Sequence, residues 1–297
     1  MPSPLFTLVT PTFNRAGFLG KAMESVRLQA RADVEHWVVD GGSTDETAAV
    51  VARFPGTRFL SEPDRGIYDA LNKGCARASG DIVGLLNSDD LYPPGTLDAA
   101  AAAFEDPAVD LVSGGTEIFR VSAGSEERVL VQDAAAKIAL TPENVLLGIP
   151  AINARFFRRR FLEQHLPFDL GYRIASDREF LFRMALAGGR EVVLDRVLYR
   201  YCEHAGSLTI RDRVPLREGA GWEHLAIAEK HRDTVPPDAR EVVRRFHARE
   251  SATLALGLLA EGEYGAALEM ARRGWGVNAS WPVTVLRVGA AAVWRRL

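Results

Sequence analysis

The chain has 297 residues and a formal net charge of −3, with 47% hydrophobic and 25% charged residues. That composition is globular and argues against disorder, and the near-neutral charge supplies no basic field for a nucleic-acid partner. Only two cysteines occur, Cys75 and Cys202, with no CxxC and no metal-ligand spacing, which argues against a disulfide framework or zinc cluster and fits a reducing cytoplasm.

The opening "MPSPLFTLVTP" lacks a basic region followed by a long apolar one, so no signal peptide is expected. Short β-rich apolar runs then alternate with helical patterns, the signature of parallel βαβ units. "LFTLVT" (5–10) reads as a strand, "FLGKAMESVRLQ" (18–29) as a helix, "HWVVD" (36–40) as a strand and "TDETAAVVARF" (44–54) as a helix. "TRFLS" (57–61) gives a strand, "GIYDALNKGCARA" (66–78) a helix and "DIVGLL" (81–86) a fourth strand. The expected fold class is α/β, a doubly wound, mostly parallel sheet flanked by helices.

Further on come an Ala-rich helix (96–104), a strand near "VDLVSGG" (109–115) and a polar, β-prone stretch (116–132). The basic, aromatic "NARFFRRRFLEQH" (153–165) precedes "FDLGYRIASDREFLFRMALAGG" (168–189), where helical spacing follows Asp177. "EVVLDRVLYRYCEH" (191–204) closes this part as a strand. From about residue 216 the pattern is helical, a C-terminal extension in which "AEGEYGAALEMARRG" resembles one helix-turn-helix unit.

Ligands of an open parallel sheet bind beyond the carboxyl ends of its strands. Here the four strands run into "TPTFNR", "DGGSTDET", "SEPDRG" and "NSDD". In the second turn Gly41 and Gly42 allow a tight bend, and Ser43 with Glu46 has capping-box spacing. Asp40 remains, an acceptor suited to the imide N–H of a pyrimidine or the edge of a guanine. In the third, Asp64 either begins a turn or faces a ligand, and Arg65 and Lys73 are either solvated or compensate a diphosphate. In the fourth, the carboxylates of Asp89 and Asp90 repel each other. Either they start the turn before "YPPG", or they hold Mg2+ or Mn2+, which bind through one or two carboxylates plus substrate phosphates and relieve the repulsion.

In order and spacing, these motifs resemble the N-terminal half of family 2 inverting glycosyltransferases of the GT-A fold. The likeness covers residues 5–115, continues through "FDLGYRIASDREFLFRM" to about residue 205 and leaves the helical tail uncovered. It implies a nucleotide-diphosphate sugar donor, a divalent cation and a single displacement at the anomeric carbon. The family's Asp-x-Asp metal motif falls on Asn87, Ser88 and Asp89, so the first position departs from the pattern. The resemblance therefore implies metal on Asp89, with Asp90 as helper and Asn87 at the ribose or a metal-bound water. Thr10 and Pro11 would line the nucleoside pocket, Asp40 would meet the base, Asp64 and Arg65 would face the sugar donor, and Lys73 would lie near the phosphates. The general base falls on Asp177, with Glu179 as fallback; Ser176 or Asp177 could instead only cap the helix. His204 is a phosphate or metal contact, or a structural histidine. "RFFRRRF" either faces an anionic acceptor such as a lipid diphosphate or forms a solvated helix face.

The resulting expectation is a cytoplasmic glycosyltransferase adding one sugar to a saccharide or lipid-linked saccharide acceptor of a bacterial-type surface glycan. Residues 1–115 would bind the nucleotide sugar, 116–212 the acceptor, and 213–297 would form the helical region. The segment "WPVTVLRVGAAAVWRRL" (281–297), broken by Arg287, either packs on the body or makes peripheral contact with the inner face of the cell membrane. Two rivals remain. One is a non-catalytic nucleotide-sugar-binding module, which Asn87 allows; the other is a sugar nucleotidyltransferase, disfavoured because "TPTFNR" has no glycine-rich loop.

Overall fold

A computed structural model describes residues 5–122, 125–204 and 219–294. The chain forms two compact units, Met1–Val145 with Ile149–Ala205, and Leu146–Gly148 with Gly206–Leu297.

The first unit is organised by strand β1 (Phe6–Thr12), in which every residue is buried. A strand covered on both faces reads as a continuous apolar run, which is why "FTLVTP" needs no alternation. β1 pairs in parallel with β2 (Val34–Asp40) on one side and β4 (Ile82–Leu85) on the other, and β2 pairs with β3 (Arg58–Ser61). Helices α1 (Ala16–Arg27), α2 (Thr47–Val51) and α3 (Ile67–Cys75) are the crossovers. The chain thus winds outward through β2 and β3, then returns to the far side of β1. This reversal opens a crevice at the strand ends between β1 and β4.

Close packing of α3 depends on Gly74. A Cβ built there would lie 2.3 Å from a Val9 methyl and 3.2 Å from a Val39 methyl.

After α4 (Thr96–Ala103) the sheet becomes mixed. The later elements are β5 (Leu111–Ser122), β6 (Ser125–Gln132), α5 (Ala135–Ile138), α6 (Pro142–Leu147), β7 (Arg155–Arg158), α7 (Arg159–Glu163), α8 (Ser176–Ala187) and β8 (Glu191–Glu203). Among the described residues, eight strands form one sheet in the order β3-β2-β1-β4-β7-β5-β6, with β8 parallel to β5. Phe6, Leu8, Ile82, Phe156 and Tyr199 centre its main core.

The basic segment 155–160 differs from expectation. Its start is β7, antiparallel between β4 and β5, with Phe156 and Phe157 fully buried. Arg155 is buried and donates to Ser113 Oγ, the Ile138 carbonyl and Glu191. Arg158 donates to the carbonyls of Phe104, Asp106 and Val109, Arg159 to Gly80, and Arg160 to Pro107 and Asp110. Arg155 and Arg158 tie loops together, so this part of "RFFRRRF" is no solvated helix face, while Arg160, in α7, is exposed and pairs with Asp110 at 3.1 Å.

The second unit consists of α9 (Gly221–His231), α10 (Pro237–Ala260), α11 (Tyr264–Val277) and α12 (Trp281–Trp294). Helix α10 packs against the other three. Gly262, at a φ of 81°, makes the bend between α10 and α11. Trp281 is buried: its indole N–H donates to Ser251 Oγ at 3.0 Å and fills the space left by Gly274. Among the described residues no helix is long and apolar enough to cross a membrane.

Candidate active site

The loops after β1 and β2 are laced together. Asn14 accepts from the Thr44 N–H at 2.9 Å, its own N–H donates to Ser43 Oγ at 2.7 Å, and the Ala16 N–H donates to Asp45 at 3.0 Å. Asp40 ends β2 almost completely buried; it accepts from the Ser43 N–H at 3.0 Å, the Ser43 hydroxyl and the Ser61 hydroxyl at 2.6 Å. Ser43 is therefore no helix cap. Helix α2 begins at Thr47 without a side-chain cap, because Ser43 is committed to the turn.

Thr10 and Pro11 are buried within β1. The Thr10 hydroxyl meets His36 Nε2 at 2.9 Å, and burial depresses that imidazole to a pKa of about 4.

Asp64 lies over the end of β2. Its Oδ1 accepts the Gly66 N–H at 2.8 Å, and its Oδ2 would sit 2.7 Å from any Cβ at position 41, so glycine there is a requirement of close approach. Arg65 is exposed and pairs with Asp69 at 3.3 Å. Lys73 Nζ bonds Glu62 at 3.0 Å and the Pro63 carbonyl at 2.9 Å, bracing the turn.

The carboxylates of the fourth turn diverge. Asp90 is fully buried and accepts from the Tyr199 hydroxyl at 2.5 Å, the Cys202 N–H at 2.8 Å and the Asn87 amide at 3.1 Å. Burial first, then the adjacent Asp89 charge, pushes its pKa up to about 8. Asp90 and Asn87, expected at the sugar donor, thus hold the turn onto β8. Asp89 faces the other way, its Oδ2 3.0 Å from His204 Nε2. Phe18 of α1 stacks on that imidazole at 4.4 Å and 21°.

Asp177 stands in the first turn of α8, where it accepts from the Tyr68 hydroxyl at 3.1 Å and the Arg178 N–H at 2.8 Å. Tyr68 also donates to the Ile174 carbonyl at 2.6 Å. One turn further along α3, Asn72 clamps Phe168 by donating to its carbonyl at 3.0 Å and accepting its N–H at 2.8 Å. The third motif is thereby fastened to the segment that delivers Asp177. Glu179 is fully buried and paired with Arg183 at 2.9 Å, so it does not serve as an alternative at the surface.

Among the described residues no cluster of three or more His, Cys, Asp and Glu side chains forms a metal cage. Asp89 with His204 offers one hard oxygen and one imidazole nitrogen. Such a pair fits a divalent cation that takes its remaining ligands from substrate phosphates and water.

The model of Glycosyl transferase family 2 matches residues 7–181. The chain belongs to that family. A PGL/p-HBAD biosynthesis glycosyltransferase of Mycobacterium bovis is 33% identical over 196 residues, covering 62% of this chain and 70% of its own. S. aureus TarS, solved with UDP-GlcNAc, superposes with a TM-score of 0.69 at 18% identity, over 95% of this chain and 88% of that one. The mannosyltransferase PcManGT from Pyrobaculum calidifontis, solved with GDP-Man and Mn2+, gives 0.62 at 22% identity, over 98% and 81%. At these identities the structures establish the fold alone, which is the GT-A glycosyltransferase fold.

Four residues of this family 2 chain that organise the site escaped the sequence reading: Phe18, Tyr68, Asn72 and Tyr199. Tyr68 and Asn72 carried a signal, since polar groups four apart within "GIYDALNKG" share one helix face. Tyr199 and Phe18 carried none, because their partners lie far away in the chain.

Proposed function

We propose that the protein is a metal-dependent inverting glycosyltransferase. It moves a sugar from a nucleotide-diphosphate sugar to a hydroxyl of a glycan or lipid-linked saccharide acceptor, in the assembly of a surface polysaccharide or glycolipid. The observation that carries this reading is the pairing of Asp89, after β4, with His204, after β8.

Asp89 and His204 would hold Mg2+ or Mn2+, and a cation there would neutralise charge on the departing diphosphate. The exposed Arg65 is free to turn toward the phosphates, because a solvated pair with Asp69 is weak. Asp40 and Asp64 shape the nucleoside end of the crevice through the turns they hold, with Thr10 and Pro11 beneath them and Lys73 bracing the rim. Asp177 takes the proton of the acceptor hydroxyl as its oxygen attacks the anomeric carbon. The bond from that carbon to the diphosphate breaks, and the nucleoside diphosphate leaves with the bonding pair. Two buried cysteines, neither of them in a disulfide, support a reducing compartment, which we take to be the cytoplasm. UDP-GlcNAc bound to TarS, GDP-Man and Mn2+ bound to PcManGT, and the PGL/p-HBAD biosynthesis of the mycobacterial relative support the substrate class.

The test is thermal unfolding with UDP, GDP, dTDP and CDP, each with and without Mn2+. A ligand at about 100 times its dissociation constant adds about 2.7 kcal/mol, a shift of several degrees for a unit of this size. One nucleotide should give a cation-dependent shift that Asp89→Ala removes. Asp177→Asn should keep the shift and lose transfer. Absence of any nucleotide shift in a cooperatively melting protein would overturn the reading and favour a degenerate module.

A further inference from the structure

His204 follows Glu203, the last residue of β8, and its side chain is only 16% exposed. The χ2 torsion of a histidine is broad and roughly two-fold, so a place just beyond a strand end sets neither the plane of the ring nor the direction in which a given nitrogen points. Neighbours must set both. Asp89 Oδ2 lies 3.0 Å from Nε2 and fixes the direction. The Phe18 ring lies against the face of the imidazole, with centroids 4.4 Å apart and planes inclined by 21°, and fixes the plane.

Phe18 is itself held by the turn after β1. Its N–H donates to the Arg15 carbonyl at 2.9 Å as α1 begins, and the Ala16 N–H donates to Asp45 at 3.0 Å. Asp45 in turn accepts from the Thr47 N–H at 3.1 Å and the Thr47 hydroxyl at 2.6 Å. The next residue, Leu19, is fully buried in a cluster with Met23, Val38, Val50 and Val51. The ring therefore stands on a helix start that is braced from the neighbouring loop and from the core. Its chemistry matters as well as its place. An imidazole that ligates a cation becomes electron-poor, and the negative face of a phenyl ring favours that state over the unligated one. A leucine would cover the same face without that preference.

We propose that Phe18 is a positioning residue for the cation pair: its ring keeps the His204 imidazole in the plane that sets Nε2 beside Asp89 before any cation arrives. The inference rests on the reading of Asp89 and His204 as cation ligands and adds the residue that prepares them. It also ties the cation pair to the turn after β1, whose Asn14 is bonded to Ser43 and Thr44 at the nucleoside end. Outer partners that orient a metal ligand contribute about 10–100-fold to metal affinity, which sets the size of the effect.

The experiment compares the full-length parent with Phe18→Leu, Phe18→Tyr and Asp89→Ala. Without metal, the His204 ring protons, identified in the proton spectrum by their loss in His204→Gln, should be shifted upfield by the stacked ring in the parent and in Phe18→Tyr, and should lose that shift in Phe18→Leu. Mn2+ is then titrated in thermal melts with whichever of UDP, GDP, dTDP and CDP stabilises the parent. The Mn2+ concentration for half-maximal stabilisation should rise about 10-fold or more in Phe18→Leu and stay within about twofold of the parent in Phe18→Tyr. Identical His204 shifts in the parent and Phe18→Leu would overturn the proposal. So would a Phe18→Leu protein that melts lower but needs no more Mn2+, which is the mark of a merely structural ring, or an equal loss in Phe18→Tyr. In each of these cases the cation reading stands as long as Asp89→Ala abolishes the Mn2+ dependence. A parent with no Mn2+-dependent shift would overturn the cation reading and this inference with it.

Discussion

Replacing Tyr199 by phenylalanine tests the link between the metal turn and β8. The hydroxyl donates to Asp90 at 2.5 Å and accepts from the Asn153 amide at 3.0 Å and the Asn87 N–H at 3.3 Å, with Tyr199 and Asp90 both buried. Tyr199→Phe keeps the ring and opens no large cavity, so the cost is that of buried polar groups losing a partner. Removing the hydroxyl leaves the buried Asp90 carboxyl and two amide N–H groups short of a partner, at about 1–3 kcal/mol for a buried group left unsatisfied, so a loss of about 3 kcal/mol is expected. The affected unit has roughly 200 residues, for which each kcal/mol lowers the midpoint by about 2–4 °C, giving a fall of about 6–12 °C. Function should follow, because His204 stands two residues beyond Cys202, whose N–H is also pinned by Asp90. Loosening that end of β8 should raise the Mn2+ concentration needed for half-maximal nucleotide stabilisation by about 10-fold. Differential scanning fluorimetry with a Mn2+ titration reads both effects. A midpoint within about 1 °C of the parent, with unchanged Mn2+ dependence, would refute the assignment of Asp90 and Tyr199 as the anchor.

Stability should decline on acidification through His36. Burial lowers its pKa from 6.5 to about 4, so below 6.5 the unfolded chain binds a proton that the folded chain refuses. The contribution is therefore level above pH 6.5, falls as pH drops toward 4, and amounts to about 3 kcal/mol across that window; His36→Gln should lose correspondingly less between about pH 7 and about pH 4 in urea titrations. Gly74→Ala should destabilise by about 1–2 kcal/mol, because overpacking against Val9 costs about 1–3 and alanine's helix propensity returns up to about 1. Gly17→Ala, where a Cβ meets nothing within 4 Å, is the control and should be neutral or stabilising in the same melt. Tyr68→Phe removes a donor to Asp177 and should lower kcat about five- to tenfold with the KM for the sugar donor unchanged; a change in KM alone would mean that Tyr68 serves binding instead.

β1 and β4 were legible because burial on both faces leaves little choice of residue, and the turns were legible because parallel strands gather their polar ends on one edge. β7 was not. Its arginines look solvated in sequence, yet Arg155 and Arg158 donate to groups drawn from residues 104–113, 138 and 191, and only the folded chain brings those acceptors to them. The pair Asp89–Asp90 makes the same point at the site. Sequence put both carboxylates beside a cation that would relieve their repulsion. In the structure they part company, and the reason lies more than a hundred residues away: Tyr199 and Cys202 draw Asp90 inward while His204 meets Asp89. Burial and the neighbouring Asp89 charge raise the Asp90 pKa, so the repulsion is lessened before any cation arrives. That leaves Asp89, turned toward His204, for a ligand. It also explains why asparagine is tolerated at position 87: its amide donates to Asp90, where a carboxylate would add another negative charge to the turn.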